Sequence, residues 1–291
     1  MVKKLFVLLP LLVWISACSK KSNAEVDNET LSAIDFSAQS REIMALVSGI
    51  HQALVYTPGT GANQIKVAPK PCYNLVKVAG DTLWGNAGHV NPTYSVSVET
   101  LLNCNPETLD PGYNNRLGEI FITQSDKLQN AGAYTIIKAK GVWVKGYGEA
   151  YSSERYPLCD SIVLKTKASD ANSAKFDMSI VNGKLIQDIS GKSSLLKANF
   201  KLISTIAGSL EPYLIFSGLA SGTNSAGLSY TVNVSESSPI TKSKSCYHFK
   251  SGSADLLPLG FKSRNLDFGS GNCDDEAKMT VNGNTIAFKL K

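Results

Sequence analysis

The sequence predicts a mainly β protein, an antiparallel β-sandwich or layered set of sheets entered through one N-terminal helix. Three observations carry this reading. Apolar and polar residues alternate in short stretches, as in Tyr94-Ser95-Val96-Ser97-Val98 and, in part, Tyr134 to Lys140, the period of a half-buried strand. Asn-Gly pairs stand between apolar runs at 182–183 and 282–283, and tight hairpins favour Asn-Gly because both turn positions need positive φ. Only one long segment repeats its apolar residues at helical spacing.

That segment carries Ile43, Leu46, Val47, Ile50 and Leu54 and predicts a helix over 40–56. Ser40 is the candidate cap, and Thr57-Pro58-Gly59-Thr60-Gly61 ends it. His51 falls on its surface or edge, and the helix packs on the end of the domain or serves as a stalk. Strands are expected at 73–78, 94–98, 118–123, 134–140, 142–144 and 160–166. A hairpin follows from 175 to 186, turning at Asn182-Gly183. Further strands are expected at 194–205, 213–220 and 228–234, then a hairpin from 278 to 290 turning at Asn282-Gly283. Segment 194–209 fits a helix equally well. No βα alternation suggests a nucleotide-binding sheet, and Gly59–Gly61 lacks the Gly-Lys-Ser/Thr of a phosphate loop. No cofactor is expected.

Two pairs of segments echo each other. Cys72-Tyr73-Asn74-Leu75-Val76-Lys77 is like Cys246-Tyr247-His248-Phe249-Lys250, and Phe176–Gly183 is like Lys278–Gly283. Either the β region from 39 to 291 holds two related units, about 66–190 and 191–291, or hairpins share a small vocabulary.

At the N-terminus, Lys3-Lys4 precedes an apolar run from Leu5 to Ile15. A spanning helix needs roughly 20 apolar residues, so this run reads as an export leader. It ends in Ile15-Ser16-Ala17-Cys18, which resembles the lipobox of bacterial lipoproteins. That resemblance implies cleavage after residue 17 and acylation of Cys18, with 18–38 as a polar tether. Several acyl chains on one cysteine hold a protein on a membrane where one chain holds only marginally. Ser19 in place of Asp leans toward the outer membrane.

The chain has 291 residues and a formal charge of +5. Losing Lys3 and Lys4 with the leader leaves +3, with the lysines dispersed. No basic stripe marks a nucleic-acid surface. Of six cysteines, five remain beside Cys18. Cys72–Cys104 and Cys246–Cys273 are candidate disulfides with Cys159 left over, unless all five are buried thiols. Their spacing does not suit zinc.

The candidate sites are few. Trp84, Trp143, Tyr147 and Tyr151, with Tyr94 and Tyr113 as additions, are candidate sugar-stacking aromatics, though alternate aromatics equally fill a sheet core. Asp267, Asp274, Asp275 and Glu276 crowd one turn region as weak Ca²⁺ candidates, in competition with a solvated turn. Of the three histidines, His51, His89 and His248, His89 reads as a loop residue. No Gly-X-Ser-X-Gly elbow supports a Ser/His/Asp triad, and no catalytic residue is assigned.

The stretch Gly227-Leu228-Ser229-Tyr230-Thr231-Val232, Cys246 and Arg264-Asn265-Leu266-Asp267-Phe268-Gly269-Ser270-Gly271-Asn272-Cys273-Asp274-Asp275-Glu276-Ala277, closing on Val281-Asn282-Gly283-Asn284, resembles the tail of lipoproteins of Bacteroidetes. The resemblance covers about 213–291, with a fainter match over Cys72–Ile120. It implies a periplasmic or surface β protein and no particular chemistry. Asp81-Thr82-Leu83 and Asp160-Ser161-Ile162 resemble the O-glycosylation acceptor of that phylum. The expected protein is a lipid-anchored outer-membrane component of non-enzymatic binding or structural role. Membrane lipid is its anchor, and a glycan or an envelope protein its partner. The alternatives are a polysaccharide or peptide hydrolase, and a pilus-type or adhesin subunit.

Overall fold

The structure, a computed structural model, describes residues 27–56, 75–97, 115–145, 155–158, 160–170, 173–186, 192–205, 213–243 and 246–290. Helix α1 spans Asn28–Tyr56. The strands follow in chain order: β1 Val76–Ala79, β2 Thr93–Ser97, β3 Asn115–Gln124, β4 Tyr134–Lys145, β5 Arg155–Leu158, β6 Ser161–Ser169, β7 Ser173–Ile186 and β8 Ser193–Thr205. After these come β9 Tyr213–Thr223, β10 Ser229–Val234, β11 Ile240–Ser243, β12 Ser251–Pro258, β13 Arg264–Ser270, β14 Glu276–Val281 and β15 Asn284–Lys289. All belong to one antiparallel sheet ordered β1-β2-β3-β4-β6-β7-β8-β9-β10-β12-β13-β14-β15, with β5 beside β7 and β11 between β9 and β12. Among the described residues the fold is therefore mainly β, with a single helix at its N-terminal side.

Period two sets the two faces. On β8, Leu196, Ala198, Phe200 and Leu202 are buried while Leu195, Lys197, Asn199 and Lys201 are exposed, which decides this segment as strand. The same face buries Phe176, Met178, Phe216, Tyr230, Val232, Leu256, Leu266 and Phe268. Phe216, Phe249 and Phe268 pack ring to ring, with centroids 5.6 and 5.3 Å apart.

Helix α1 lies on this buried face, and it departs from expectation in three ways. It starts twelve residues before Ser40, it is neither stalk nor end cap, and almost every residue along it is buried. The polar composition of its first half predicts a tether, yet the segment is helical. Several of those polar groups find partners on remote strands and turns. Asn224 Nδ2 donates to the Asn28 carbonyl at 2.7 Å, the Ser225 amide donates to Asp35 at 2.6 Å, and Gln39 Nε2 donates to Ser194 at 2.7 Å. Glu29 pairs with Arg264 at 2.6 Å. The cap is Asp27, whose carboxylate accepts the Thr30 amide at 2.6 Å, satisfying a helix-end donor that Ser40, buried in mid-helix, does not. Asp27→Ala should lower stability by about 1 kcal/mol, read as a shift of the urea midpoint at unchanged slope.

The two Asn-Gly pairs differ. Asn282 and Gly283 have φ of 52° and 79° and turn the expected hairpin, with Val281 opposite Asn284. Asn182 also has positive φ, 50°, yet β7 runs straight through it. The register against β8 slips between Ile180 and Gly183, so this pair is a β-bulge. Beyond it β7 leaves β6 and pairs with β5. The echo between 176–183 and 278–283 thus covers two different structures. Strands β7 and β8 pair along their full length, from Ser173↔Thr205 to Ile186↔Ser193, so the sheet is continuous across residue 190. Residues 72–74, the start of the other echo, lie outside the described residues.

Close approach explains two glycines on β9. A Cβ on Gly218, whose φ is 131°, would stand 2.3 Å from the Asn199 carbonyl oxygen, and one on Gly222 would stand 2.6 Å from the Tyr230 hydroxyl. Among the described residues no helix is long and apolar enough to cross a membrane.

Candidate functional site

The face turned away from α1 carries a groove across β7, β8, β9, β10 and β12. Two adjoining hollows of about 720 and 810 Å³ make it up, sharing Asn182, Lys197, Ser221, Thr231 and Leu257. Strand register explains the shape. One cross-strand row runs Lys197–Ser221–Thr231–Leu257, so two small hydroxyl residues form a floor between longer side chains. The neighbouring row runs Ser179–Asn199–Leu219–Asn233–Asp255. Here the Ser179 hydroxyl donates to Asn199 Oδ1 at 2.8 Å, and Asn265 donates to Asp255 at 3.0 Å. Leu195, Leu219 (63% exposed), Leu257, Leu259 (72%) and Phe261 leave large apolar surfaces in water around it. Scattered exposed apolar residues are ordinary, whereas a contiguous patch marks an interaction site.

Asp255 is the one carboxylate among the described lining residues. Hydrolysis of a glycosidic bond by the usual route needs two. The groove's described aromatics are Phe261 and the buried Tyr230. Burial, reinforced by the nearby Asp35, pushes the Tyr230 phenol far above its usual range, so it stays neutral.

The sequence candidates fall elsewhere. Trp84 lies in the loop between β1 and β2, partly buried, its ring 4.9 Å from that of His89. Tyr94, read as a possible addition, points inward and is buried. Trp143 lies on β4 with its side chain outside the described set, and Tyr113, Tyr147 and Tyr151 lie outside the described residues. So do Cys18, Cys72, Cys104 and Cys159. Cys246 and Cys273 form a disulfide with Cα atoms 5.6 Å apart.

The acidic turn does not assemble a cation site. Among the described residues no three His, Cys, Asp or Glu groups converge. Asp275 is engaged by Lys289 at 3.1 Å, and that ammonium pulls its pKa down. Asp274 caps the Glu276 amide and Asp267 the Gly269 amide. Their side chains serve separate local turns, which sequence proximity alone does not reveal.

Comparison of the chain with protein-family models, with curated proteins and with solved structures gives no match.

Two histidine pairs were not legible beforehand. His89 Nδ1 donates to Asp81 at 2.5 Å. The same carboxylate accepts the Leu83 and Val90 amides at 2.8 and 3.0 Å. The Val90 bond, then His89, then Leu83 pull its pKa down to about 2. This is the base-orienting half of a triad, but His89 Nε2 is buried with no hydrogen-bond partner, so no nucleophile is engaged and the pair braces the loop. His51, expected at the helix surface or edge, is fully buried and hydrogen-bonded to Ser204 at 2.7 Å. Phe176 packs edge-on to it, with ring centroids 5.3 Å apart.

Proposed function

We propose that this is a non-enzymatic binding protein of the bacterial envelope, held to the outer membrane by acylation of Cys18, with its ligand site in the groove across β7–β12. The observation that carries the reading is the groove itself: an open trough with a hydroxyl floor and leucine walls on a sheet face that would otherwise be plain solvent surface. Each of its two hollows falls in the volume range of small-ligand sites, roughly 300–1,000 Å³. Such a lining suits an amphiphile. Leu195, Leu219 and Leu257 take the apolar body, while Ser221, Thr231 and Asn199 meet hydroxyl or amide groups. It suits a bare glycan less well, because flat exposed aromatic rings are scarce along its described walls.

The test is titration of the purified chain with an environment-sensitive apolar dye, followed by displacement with a lysophospholipid, a fatty acid and soluble glycans. Saturable displacement by the amphiphiles is expected. Leu257→Lys, at an exposed position that leaves the core intact, should weaken it at least about tenfold by placing a charge against the apolar body. Displacement by glycans alone, or dye binding indifferent to Leu257→Lys, would remove the groove from the reading.

A further inference from the structure

The turn joining β12 to β13 has an unusual composition for a hairpin tip: Pro258-Leu259-Gly260-Phe261-Lys262. Leu259 is the most exposed large apolar side chain among the described residues, and Phe261 stands beside it about half exposed. Loop tips in water are ordinarily polar.

The position of this turn gives the composition meaning. Arg264, three residues on, pairs with Glu29 in the first turn of α1 at 2.6 Å, and its guanidinium lies 5.6 Å from the Phe261 ring centroid. Asn224, at the β9–β10 turn, holds the Asn28 carbonyl. The Leu259 amide donates to the Ser229 carbonyl at 2.8 Å, at the start of β10. The helix start, the β9–β10 turn and the Leu259–Phe261 tip therefore share one end of the sheet. Lys262 reaches the β14–β15 turn through Asn282 at 3.2 Å, so that hairpin lies there too. Asp27, just before the helix start, is only nine residues from Cys18 in the sequence. Fully extended, that stretch reaches roughly 32 Å at most.

We infer that the Leu259–Phe261 tip is a second membrane contact, inserted into the bilayer surface that the lipid on Cys18 occupies. The inference rests on the acylation reading for its geometry. Apolar side chains at the headgroup boundary gain by leaving water, and nearby lysines favour anionic headgroups. Lys184, paired with Leu195 across the sheet, Lys197, in the groove, and Lys262, next to Phe261, are cations near the apolar patch. Of the carboxylates at this end, Glu29 is neutralised by Arg264, Asp27 caps the helix and Asp160 accepts from Asn182. The contact directs one end of the sheet at the membrane and leaves the Ser179–Asp255 end of the groove pointing away.

The test uses the chain from Ser19 onward, which lacks Cys18 but keeps every described element, in flotation with vesicles of phosphatidylcholine alone and of phosphatidylcholine with phosphatidylglycerol. Flotation is expected, stronger with the anionic lipid. Leu259→Ser combined with Phe261→Ser should weaken it about tenfold or more. Val76→Ser combined with Val78→Ser, on the exposed edge strand β1, should leave it unchanged. Circular dichroism and melting establish that each variant is folded. Absence of flotation, or equal loss in both double variants, would overturn the inference. Acylation is read separately, by palmitate labelling of the full chain against Cys18→Ala. Its failure would remove the anchor without altering the vesicle result.

Discussion

Acidification from neutral pH to about pH 4 should cost this protein roughly 3 kcal/mol through His51 alone. His51, on α1, is buried against Phe176 and Ser204. Burial pushes its pKa from 6.5 down to about 4. The native state therefore excludes a proton that the unfolded chain binds. Above pH 6.5 both states hold neutral imidazole and the full stability is present. As pH falls from 6.5 to 4 only the unfolded state protonates, and stability drops by about 1.4 kcal/mol per pH unit. Below about 4 the native imidazole protonates too, and this contribution stops growing. Asp81 acts in the same direction but in a lower window, between its ordinary carboxylate range and about pH 2. The two are separable by pH. Urea denaturation at a series of pH values should show the slope in wild type and its near disappearance between pH 4 and 6.5 in His51→Gln. A variant that is uniformly weaker, with the wild-type slope intact, would place the acid sensitivity elsewhere.

Reduction of the Cys246–Cys273 bond should cost about 3–4 kcal/mol. The bond closes a loop of 27 residues, and removing such a cross-link restores that much chain entropy to the unfolded state. The native contacts at risk are specific. The segment after Cys246 puts Tyr247 against the Arg41 guanidinium, 3.9 Å from ring centroid to carbon, and Phe249 between Phe216 and Phe268. Lys242 donates to the carbonyls of Cys246 and Tyr247, which holds a buried ammonium by backbone oxygens. Cys246 is fully buried, whereas Cys273 lies exposed at the β13–β14 turn, so the bond sits at the surface on one side only. Thermal melting with and without reductant, beside Cys273→Ser in both conditions, should show a downward shift of about 10 °C. That shift should appear in wild type only on reduction and in the variant always. A reductant-dependent shift that survives in Cys273→Ser would assign it to other cysteines.

Much of the sheet was legible because strands advertise themselves locally. On β8 the alternation of Leu196, Ala198, Phe200 and Leu202 with Leu195, Lys197, Asn199 and Lys201 is visible in one line of sequence, and burial chose strand over helix. Local reading failed where the deciding partner is remote. Asn182-Gly183 and Asn282-Gly283 are the same dipeptide and both asparagines have positive φ, but of the two glycines only Gly283 does, so one bulges and one turns. The first has β8 running past it on one side and β5 waiting on the other, so extending the strand keeps more backbone groups paired than reversing it would. The polar half of α1 reads as tether in the sequence because groups that bind Asp35 and Gln39 in the fold are remote. Ser225 and Ser194, which satisfy them, lie more than 150 residues away.

The groove escaped sequence reading for a related reason. Ser179, Lys197, Ser221, Thr231 and Leu257 each occupy the outward phase of their own strand, where polar or mixed residues raise no signal. Only the registers β7–β8, β8–β9, β9–β10 and β10–β12 set small residues beside one another with leucines on either side. The sequence by itself determined the class of this protein: alternation dictates strands, and one apolar helical repeat dictates a helix. Tertiary structure alone decided which face of that helix needs partners, which Asn-Gly turns and where the exposed sheet becomes a trough. Those outcomes depend on pairing energies between segments far apart in the chain, and no window of sequence contains them.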